Sequence, residues 1–352
     1  MSIDPAQAES GFPPQPVEET VQRELVAIGA SAGGVEALRE LVAELPLELP
    51  AALVVVMHLL PTGTSMLPAI LARSGKLPAT AGQHGEQLER GHIYVAPPDH
   101  HLLVVDGRAQ LSHGPRENGH RPAIDPLFRS VARAYGERAI GIVLSGTLDD
   151  GAAGLWMLRE RGGATIAQDP ADALYGGMPQ SAINNGAATH VARIAEIPDL
   201  ICNLIDTPVE AVQGAPDDDE TFRDQPTLDT AEVAAPRDGD LTPLTCPECG
   251  GALWEHQEGD LIRFRCHVGH SYTAETMQNE QGRSLEAALW SALRSLQERE
   301  DLFRRMARRA RTSRQTSERF EVKAREVEAH AEAIRRTIAE LGGTPVDDEP
   351  AA

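Results

Sequence analysis

Three residues with the chemistry of acyl transfer stand at the ends of predicted buried strands, namely Ser31, His58 and Asp150. A serine hydroxyl is a weak nucleophile until a base removes its proton. A histidine base in turn needs a carboxylate that fixes its tautomer and stabilises the imidazolium. Because the carboxyl ends of parallel strands lie at one edge of a sheet, the three side chains are predicted to meet there.

The serine lies in a glycine-rich turn, GASAGG at 29–34, between a predicted strand and a predicted helix. As a nucleophile elbow, G-x-S-x-G, this turn would project the serine Oγ above the sheet, and the glycines would relieve crowding around a strained serine. Two other interpretations stay open. The turn could bind a dinucleotide pyrophosphate, although the next strand ends in His58 and not in an acidic ribose ligand. Alternatively, Ser31 could merely cap the helix.

The other two residues have ordinary structural interpretations when each is taken singly. His58 follows the apolar run ALVVVM at 52–57 and could be a structural histidine. Asp150, in IVLSGTLDDG at 142–151, could be only a helix N-cap. Three strand ends that deliver serine, histidine and aspartate to one edge nevertheless favour a catalytic triad, although strand ends alone do not distinguish Asp150 from its neighbour Asp149.

The elements that must position these residues alternate between β-branched strands and amphipathic helices. Strands are predicted at LVAIG, ALVVVM, AIGIVLSG, ATIAQ and ATHVA, and helices at VEALRELVAEL, near 64–74 and around 152–161. This βαβ pattern predicts an α/β fold with a doubly wound, mostly parallel sheet. Pro, Asp and Gly around IYVAP, HLLVV and the run to Ser112 predict a small antiparallel hairpin that interrupts it.

Seven motifs occur in order over roughly residues 24–206: IGASAGG, VMHLLP, HIYVAPPDHH, RPAIDPLFRSVA, GIVLSGTLDDGAAGL, TIAQDP and YGGMPQSAI. Together they resemble the catalytic domain of chemotaxis protein-glutamate methylesterases, the CheB family. The resemblance implies hydrolysis of glutamate methyl esters on chemoreceptors with release of methanol, and also deamidation of receptor glutamines, which some family members perform. A hydrolase for another ester and a non-enzymatic chemosensory scaffold are the alternatives.

The resemblance also assigns roles to individual residues. The implied site consists of the nucleophile Ser31, the base His58, the orienting acid Asp150, the oxyanion-hole donor Thr147 through its backbone N–H, and the site-lining residues Met178 and Pro179. These roles follow from matching motif positions and not from spacing alone.

The sequence departs from the family pattern in several places. Ala32 replaces a frequent threonine, and Thr147 and Leu148 replace a frequent Met-Gly pair before the acidic residues. Thr147 can still donate through its backbone, whereas Leu148 resists the positive φ that glycine adopts freely. Many family members carry a phosphorylatable receiver domain that gates the site. Residues 1–22 instead predict a disordered leader, so we expect activity that is constitutive or controlled by other means.

Three of the four cysteines lie in one segment, in the pattern C-x2-C-x16-C-x3-H formed by Cys246, Cys249, Cys266 and His270. Two such ligand pairs supply the tetrahedral donors that structural zinc prefers, so we expect one structural zinc ion and no cofactor for catalysis. His267 is less able to turn inward, and buried free thiols are the alternative. The segments CPECGGALWE and RFRCHVGHSY resemble the zinc ribbon that accompanies stand-alone members of the family.

The apolar positions of the C-terminal segment follow a 3-4-3-4 spacing from Leu289 to Leu341. This heptad register predicts one long helix and a homodimer through a coiled coil. A helical hairpin that turns at 312–317 is the alternative, but this stretch lacks Gly, Pro, Asn and Asp. Residues 298–325 hold ten Lys or Arg against five Asp or Glu, so we expect this basic flank to attract acidic helices of methyl-accepting chemoreceptors.

Composition sets the remaining expectations. A formal net charge of -21 disfavours nucleic acid as a partner. The absence of a long apolar stretch and of a secretion signal predicts no membrane insertion and a cytoplasmic protein. We expect a disordered leader (1–22), a methylesterase catalytic domain (23–207), an acidic linker (208–243), a zinc-ribbon-like module (244–280), a helical tail (281–342) and a disordered end (343–352).

Overall fold

The computed structural model describes residues 20–59, 61–210, 239–258, 261–310 and 313–341. Most of the predicted leader and of the predicted acidic linker, and all of the predicted disordered end, lie outside the described residues. Among the helices that the structure describes, none is long and apolar enough to cross a membrane.

The first part of the chain alternates strands and helices, as its βαβ pattern predicts. Its strands are β1 (Thr20–Val21), β2 (Leu25–Ala30), β3 (Ala52–Met57), β4 (Ala79–Ala81), β5 (Ile93–Val95), β6 (His101–Val105), β7 (Arg108–Ser112), β8 (Ala139–Val143), β9 (Ala164–Gln168), β10 (His190–Ala192) and β11 (Val209–Glu210). Its α-helices are α1 (Gly34–Glu44), α2 (Leu67–Ser74), α3 (Ile124–Tyr135), α4 (Ala152–Glu160), α5 (Gly177–Asn184) and α6 (Ile197–Asp206).

Seven of these strands form one parallel sheet in the order β10-β9-β8-β2-β3-β5-β4. The chain leaves the central strand β2 toward β3 and later returns on the opposite side of β2 at β8. Ligand sites in open α/β sheets form outside the carboxyl ends of the strands at such a reversal. The predicted doubly wound, mostly parallel sheet is therefore confirmed.

A separate antiparallel pair, β6 and β7, confirms the predicted small hairpin, with His101 opposite Ser112. One strand differs from the expectation, because β5, from the IYVAP segment, joins the parallel sheet between β3 and β4. The three side chains of β5 are all buried. A run buried on both faces suits a parallel sheet covered by helices, and this outweighs the turn residues that flank it.

Alternate residues of the central strands pack against helices on opposite faces of the sheet. Val26 and Ile28 of β2 share a core with α1, α2 and α6, whereas Leu25 and Ala27 share a core with α3, α4 and α5. All four side chains are fully buried. Each buried Val, Leu or Ile side chain contributes about 1.5–3 kcal/mol, so these two cores hold the carboxyl edge of the sheet in a fixed shape.

The C-terminal part of the chain consists of a four-stranded antiparallel sheet and two long helices. They are β12 (Asp240–Thr245), β13 (Ala252–Glu258), β14 (Leu261–Cys266), β15 (Ser271–Thr273), α7 (Ala274–Arg309) and α8 (Arg314–Leu341). A small core in this sheet contains Leu253, Phe264, Tyr272 and Met277. We call residues 240–277 the β-module.

The two long helices correct the prediction of a single helix. Leu289, Leu293 and Leu296 of α7 pack with Ala331, Ile334 and Ile338 of α8. The two helices run antiparallel, because Phe303 near the end of α7 stacks on Phe320 near the start of α8, whereas the leucines earlier in α7 pack near the end of α8. The apolar stripe behind the heptad register is thus buried within one chain, so the register no longer argues for a coiled-coil dimer.

The hairpin alternative is confirmed, and the start of α8 explains how the chain turns there without Gly, Pro, Asn or Asp. The Ser313 hydroxyl is 2.9 Å from the Thr316 hydroxyl, and the Ser317 hydroxyl donates to the Ala307 carbonyl at 2.9 Å. Serine and threonine supply the side-chain oxygens that helix starts use, so a turn here needs no glycine or proline. The heptad spacing continues from α7 into α8 because the apolar residues of each helix pack against those of the other.

Substitution of Ala331 by glutamate tests the hairpin. Ala331 is fully buried between the helices, whereas Ala333 on the same helix is exposed. Ala331→Glu should destabilise the helix pair by roughly 3 kcal/mol, since it places an unpaired charge in an apolar contact. The matched control Ala333→Glu should leave the helical melting curve, followed by circular dichroism, nearly unchanged. Equal melting of the two variants would contradict the hairpin.

Candidate active site

Ser31 lies directly after β2 and three residues before Gly34, the first residue of α1. Its N–H donates to the Ser145 carbonyl, and its own carbonyl accepts from the Gly34 N–H, both at 2.9 Å. Ser31 does not have a positive φ, and the left-handed conformation of the turn lies at Gly33, whose φ is 71°. A Cβ at Gly33 would lie 2.7 Å from Ser145 Oγ, so both the space and the conformation there require glycine.

The structure brings Ser31, His58 and Asp150 into one hydrogen-bonded line. His58 Nδ1 lies 3.0 Å from Ser31 Oγ, and His58 Nε2 lies 2.7 Å from Asp150 Oδ2. Nδ1 can accept the serine proton only when Nε2 carries the ring hydrogen, which then donates to the aspartate. The aspartate therefore selects the tautomer that a base needs. The ring nitrogens have exchanged places relative to the chymotrypsin triad, where Nε2 faces the serine.

Three adjacent strands deliver these residues, as the sheet-edge argument predicts. Ser31 follows β2, His58 follows β3 on one side of it, and Asp150 lies in the loop between β8 and α4 on the other side. The His58 N–H also donates to the Ala30 carbonyl at 3.2 Å. The spacing of the strands thus sets the spacing of the side chains.

Asp150 is 2% exposed, and both of its carboxylate oxygens are satisfied. Besides the histidine, Oδ2 accepts from the Ile124 N–H at 2.7 Å, while Oδ1 accepts from Asn118 Nδ2 at 2.8 Å and from the Asp125 N–H at 3.3 Å. Burial alone would raise the pKa of Asp150. The hydrogen bonds and the charge of His58 outweigh it and hold that pKa below its usual range, so the acid is ionised at neutral pH.

Asp150 and Asp125 cap each other's helices. The N–H groups of Ile124 and Asp125 open α3 and donate to Asp150. In return, Asp125 Oδ1 accepts from the N–H groups of Gly151, at 3.1 Å, and Gly154, at 2.8 Å, at the start of α4. Each carboxylate satisfies orphan donors and sits at the positive end of a helix dipole. Asp150 is therefore a helix cap as well as the partner of His58, but it caps α3 and not its own helix.

Asp149 faces away from the histidine. Its Oδ1 accepts hydrogen bonds from Thr273 Oγ1 at 2.7 Å and from Thr276 Oγ1 at 2.8 Å, both in the β-module. Burial raises the pKa of Asp149, and the two threonine hydroxyls oppose this. The geometry thus distinguishes Asp150 from its neighbour as the partner of His58, in the order that the sequence favours.

Of the two predicted lining residues, Met178 lies across Gly146 from the serine. Met178 and Pro179, at the start of α5, are buried, and the Met178 N–H donates to the Gly146 carbonyl at 2.9 Å. A Cβ at Gly146 would lie 2.9 Å from the Ser31 Cβ and would collide with the Met178 thioether. Gly146 therefore lies between the serine and the methionine. Thr147 follows it directly, so the loop that carries the predicted oxyanion donor adjoins the serine.

Leu148 adopts the conformation that its side chain resists. Its φ is 61°, in the left-handed region that favours glycine. A close approach explains why the loop keeps this shape, since a Cβ at Gly177 would lie 3.0 Å from the Leu148 N atom. The loop therefore has the shape that the frequent family glycine would give, at a cost in backbone strain.

Two residues near the triad were missed by sequence reasoning. The His120 ring stacks on the His58 ring with centroids 3.6 Å apart. Burial, aided by His58, lowers the pKa of His120 to about 4, so this ring is neutral at pH 7 and covers one face of the base. Asn118, with a φ of 50°, donates to Asp150. Both residues lie in the loop between β7 and α3, where no periodicity marks them.

The four predicted metal ligands also come together. The ligand atoms of Cys246, Cys249, Cys266 and His270 all lie within 4.8 Å of one another. Cys249 Sγ is 3.7 Å from Cys266 Sγ, and His270 Nδ1 is 3.7 Å from Cys246 Sγ and 3.5 Å from Cys266 Sγ. Zinc bonds of about 2.3 Å to sulfur and about 2.0 Å to nitrogen produce ligand separations of this size in a tetrahedron. His267 is exposed.

A Ser–His–Asp line at the carboxyl edge of a doubly wound sheet is an arrangement of serine hydrolases. The model of the CheB methylesterase family matches residues 26–201, which is half of the chain. The chain belongs to the CheB methylesterase family. This confirms the resemblance that the seven motifs indicate.

The chain is also similar to curated proteins that are named as methylesterases. The chain is 40% identical over 181 residues to protein-glutamate methylesterase/protein-glutamine glutaminase 2 of Anaeromyxobacter dehalogenans, covering 51% of this chain and 53% of the relative. It is 37% identical over 196 residues to the protein of that name from Methanosarcina mazei, covering 53% of each. The chain spans about half the length of the curated relatives that it matches.

A solved structure supports the fold assignment. The Thermotoga maritima CheB methylesterase catalytic domain aligns with a TM-score of 0.50 and 32% sequence identity, covering 53% of this chain and 100% of that chain. The β-module and the helical hairpin lie beyond the residues that the family model matches.

Substitutions at Leu148 test the strained loop. A left-handed conformation costs a non-glycine residue about 1–2 kcal/mol, and a β-branched side chain is the least tolerated there. Leu148→Gly should therefore stay within about 1 kcal/mol of the wild-type free energy of unfolding, whereas Leu148→Val should lower it by about 1–2 kcal/mol. Urea denaturation measures both. A valine variant as stable as the glycine variant would contradict the loop geometry.

Proposed function

We propose that this chain is a protein-glutamate methylesterase, which hydrolyses methyl esters of glutamate side chains on chemoreceptors and releases methanol. The observation that carries the proposal is the hydrogen-bonded line from Ser31 through His58 to the buried, ionised Asp150. The names of the relatives at about 40% identity support the substrate class. The same relatives support deamidation of receptor glutamines as a second activity of this site.

In the first half of the proposed reaction, Ser31 Oγ attacks the ester carbonyl while His58 Nδ1 takes the hydroxyl proton. The backbone N–H of Thr147 helps to stabilise the negative charge that develops on the carbonyl oxygen. The C–O bond to the methoxy group then breaks, and His58 returns the proton to this leaving group, which departs as methanol. The glutamyl side chain is left as an ester on the serine.

In the second half, a water molecule attacks the serine ester while His58 removes its proton. The bond to Ser31 Oγ breaks and the histidine reprotonates that oxygen. The glutamic acid side chain leaves and then releases its remaining proton to water, which gives the glutamate carboxylate. Asp150 stabilises the imidazolium in both halves without taking the proton itself. A glutamine substrate follows the same steps with ammonia as the first leaving group.

We also propose that the cysteine cluster binds one zinc ion. Three thiols and an imidazole match the donor set of a structural site, and four protein ligands leave no open position for a reacting water. A Glu248 carboxylate oxygen lies 3.3 Å from His270 Nε2. Such a partner on one ring nitrogen fixes the orientation of a histidine whose other nitrogen, here Nδ1, binds the metal. When bound, the ion would cross-link the loop after β12 to the loop after β14.

Chemoreceptor helices are the proposed macromolecular partner, and the cytoplasm is the proposed location, because a cluster of free thiols suits a reducing compartment. The basic stretch from 298 to 325 covers the end of α7 and the start of α8, which meet at the tip of the helical hairpin. A positively charged tip attracts acidic helices over a range that salt shortens. The heptad register no longer supports the predicted homodimer, because the apolar stripe is buried within one chain.

Alanine substitution at the serine tests the proposed function. Ser31→Ala should reduce methanol release from methyl-labelled receptor membranes by roughly 10⁴-fold or more, since a triad loses its activity when its nucleophile is removed. His58→Ala should be nearly as severe. Asp150→Asn should cost more than Asp149→Asn, because Asp150 is the one of these two acids that hydrogen-bonds to the base. Methanol release by Ser31→Ala near the wild-type rate would refute the assignment.

Zinc content tests the proposed metal site. The purified chain should hold about one zinc ion, measured by elemental mass spectrometry. Cys249→Ser should lose most of it, while Cys202→Ser, which changes a cysteine on α6 away from the cluster, should retain it. A full zinc complement in the Cys249→Ser protein would contradict this ligand set.

A further inference from the structure

Arg263 connects the β-module to the carboxylates behind the Ser–His–Asp line. It lies on β14, outside residues 26–201, and its side chain is 4% exposed. Nη1 is 3.3 Å from Asp125 Oδ2, while Nη2 is 3.0 Å from Glu117 Oε2 and donates to Ser271 Oγ at 2.9 Å. A residue outside the family domain therefore pairs with the partner of the triad acid.

The buried carboxylates around Asp150 need a positive charge beside them. Asp125, Asp149 and Asp150 are between 0% and 4% exposed, and burying several like charges together is unfavourable unless positive charge offsets them. Burial raises the pKa of Asp125 to about 7, Asp150 adds to the rise, and Arg263 is the strongest opposing influence. Arg129, which pairs with Glu117 at 2.6 Å, is the next cation along the chain of contacts.

A second connection orients an amide beside the acid. The Thr273 N–H donates to Asn118 Oδ1 at 3.1 Å, and the Asn118 N–H donates to the Ser271 carbonyl at 2.8 Å. With its oxygen engaged by the β-module, the Asn118 amide presents Nδ2 to the other side. Nδ2 donates to Asp150 at 2.8 Å and to Asp125 at 3.1 Å. The β-module thus decides which end of this amide faces the acid.

We propose that the β-module completes the active site. Arg263 and the Thr273 N–H act as positioning groups that hold Asp125, Asn118 and Asp150 in place, and Asp150 in turn holds His58. Neither group touches the reacting atoms. The inference rests on the proposed function in one respect, since it takes the triad to be the hydrolytic centre.

Loss of the arginine charge should act on the rate and not on substrate binding. Without Arg263, the pKa of Asp125 rises further, so Asp125 is protonated more fully or moves away from Asp150. Both responses disturb the donors that Asp125 and Asn118 direct at the acid. Misplacement of a catalytic group by about 1 Å can cost on the order of 100-fold in rate. The substrate-binding surface is untouched by the change, so KM should stay nearly constant.

The test compares full-length wild type with Arg263→Met in the hydrolysis of p-nitrophenyl acetate. Active sites are counted by titration of Ser31 with a fluorophosphonate, so that misfolded protein does not enter kcat. Arg263→Met should lower kcat by about 10- to 100-fold with KM within about twofold. Arg263→Lys, which keeps one positive charge, should have a kcat between those of wild type and Arg263→Met. Arg335→Met, at a half-exposed side chain on α8 outside both the β-module and the basic stretch, is the matched control and should match wild type.

Asn118→Gly provides a second variant in case Arg263→Met does not fold. Glycine suits the positive φ of Asn118 and removes the amide that links Thr273 to Asp150, so kcat should fall with KM nearly constant. Unchanged kcat per active site in both variants would overturn the inference and leave the β-module as a passive attachment. A wild-type chain that cleaves p-nitrophenyl acetate through Ser31 but releases no methanol from receptors would overturn the substrate proposal, while the fall in kcat would still uphold this one.

Discussion

The buried charge of Asp150 is the constraint on which the rest of the structure depends. An ionised carboxylate without partners in a protein interior is too costly to persist, so this one is surrounded by donors. Two of them, the N–H groups of Ile124 and Asp125, open α3, and Asp125 in turn occupies the start of α4. The geometry of the Ser–His–Asp line is therefore tied to the packing of two helices on one face of the sheet. A shift of either helix would be felt at His58 through a single carboxylate.

The same constraint explains why the C-terminal sheet lies where it does. Placing several acidic groups at one strand end concentrates negative charge, and within residues 26–201 Arg129 pairs with Glu117 beside them. Arg263 supplies the other side, and Thr273 and Thr276 satisfy Asp149. A metal that holds the loops of this sheet together would then stabilise the surroundings of the acid at a distance, without taking part in the reaction. The β-module and the residues that the family model matches contact each other at these carboxylates.

Sequence alone predicts the part of this arrangement that follows from periodicity and from strand ends. The parallel sheet, the meeting of Ser31 with His58 and Asp150, and the gathering of the four metal ligands all follow from patterns in which spacing dictates position. Asn118, His120 and Arg263 could not be found this way, because their roles depend on tertiary contacts between segments up to about 150 residues apart, as in the pairing of Glu117 with Arg263. The sequence favoured a single helix over the helical hairpin for a related reason, since a heptad spacing is equally satisfied by a second chain and by a folded-back helix. Leu148 shows the opposite case, in which local preference is known but tertiary packing overrides it.

The central claim is that Ser31 is the nucleophile that this network activates. It is tested most directly by treating the native full-length chain with a fluorophosphonate and locating the adduct by peptide mass spectrometry. We expect a single adduct on Ser31 that disappears when the chain is unfolded before treatment, because the hydroxyl reacts only when His58 and Asp150 are in place. An adduct on another residue, such as Ser145, with Ser31 unmodified would contradict it.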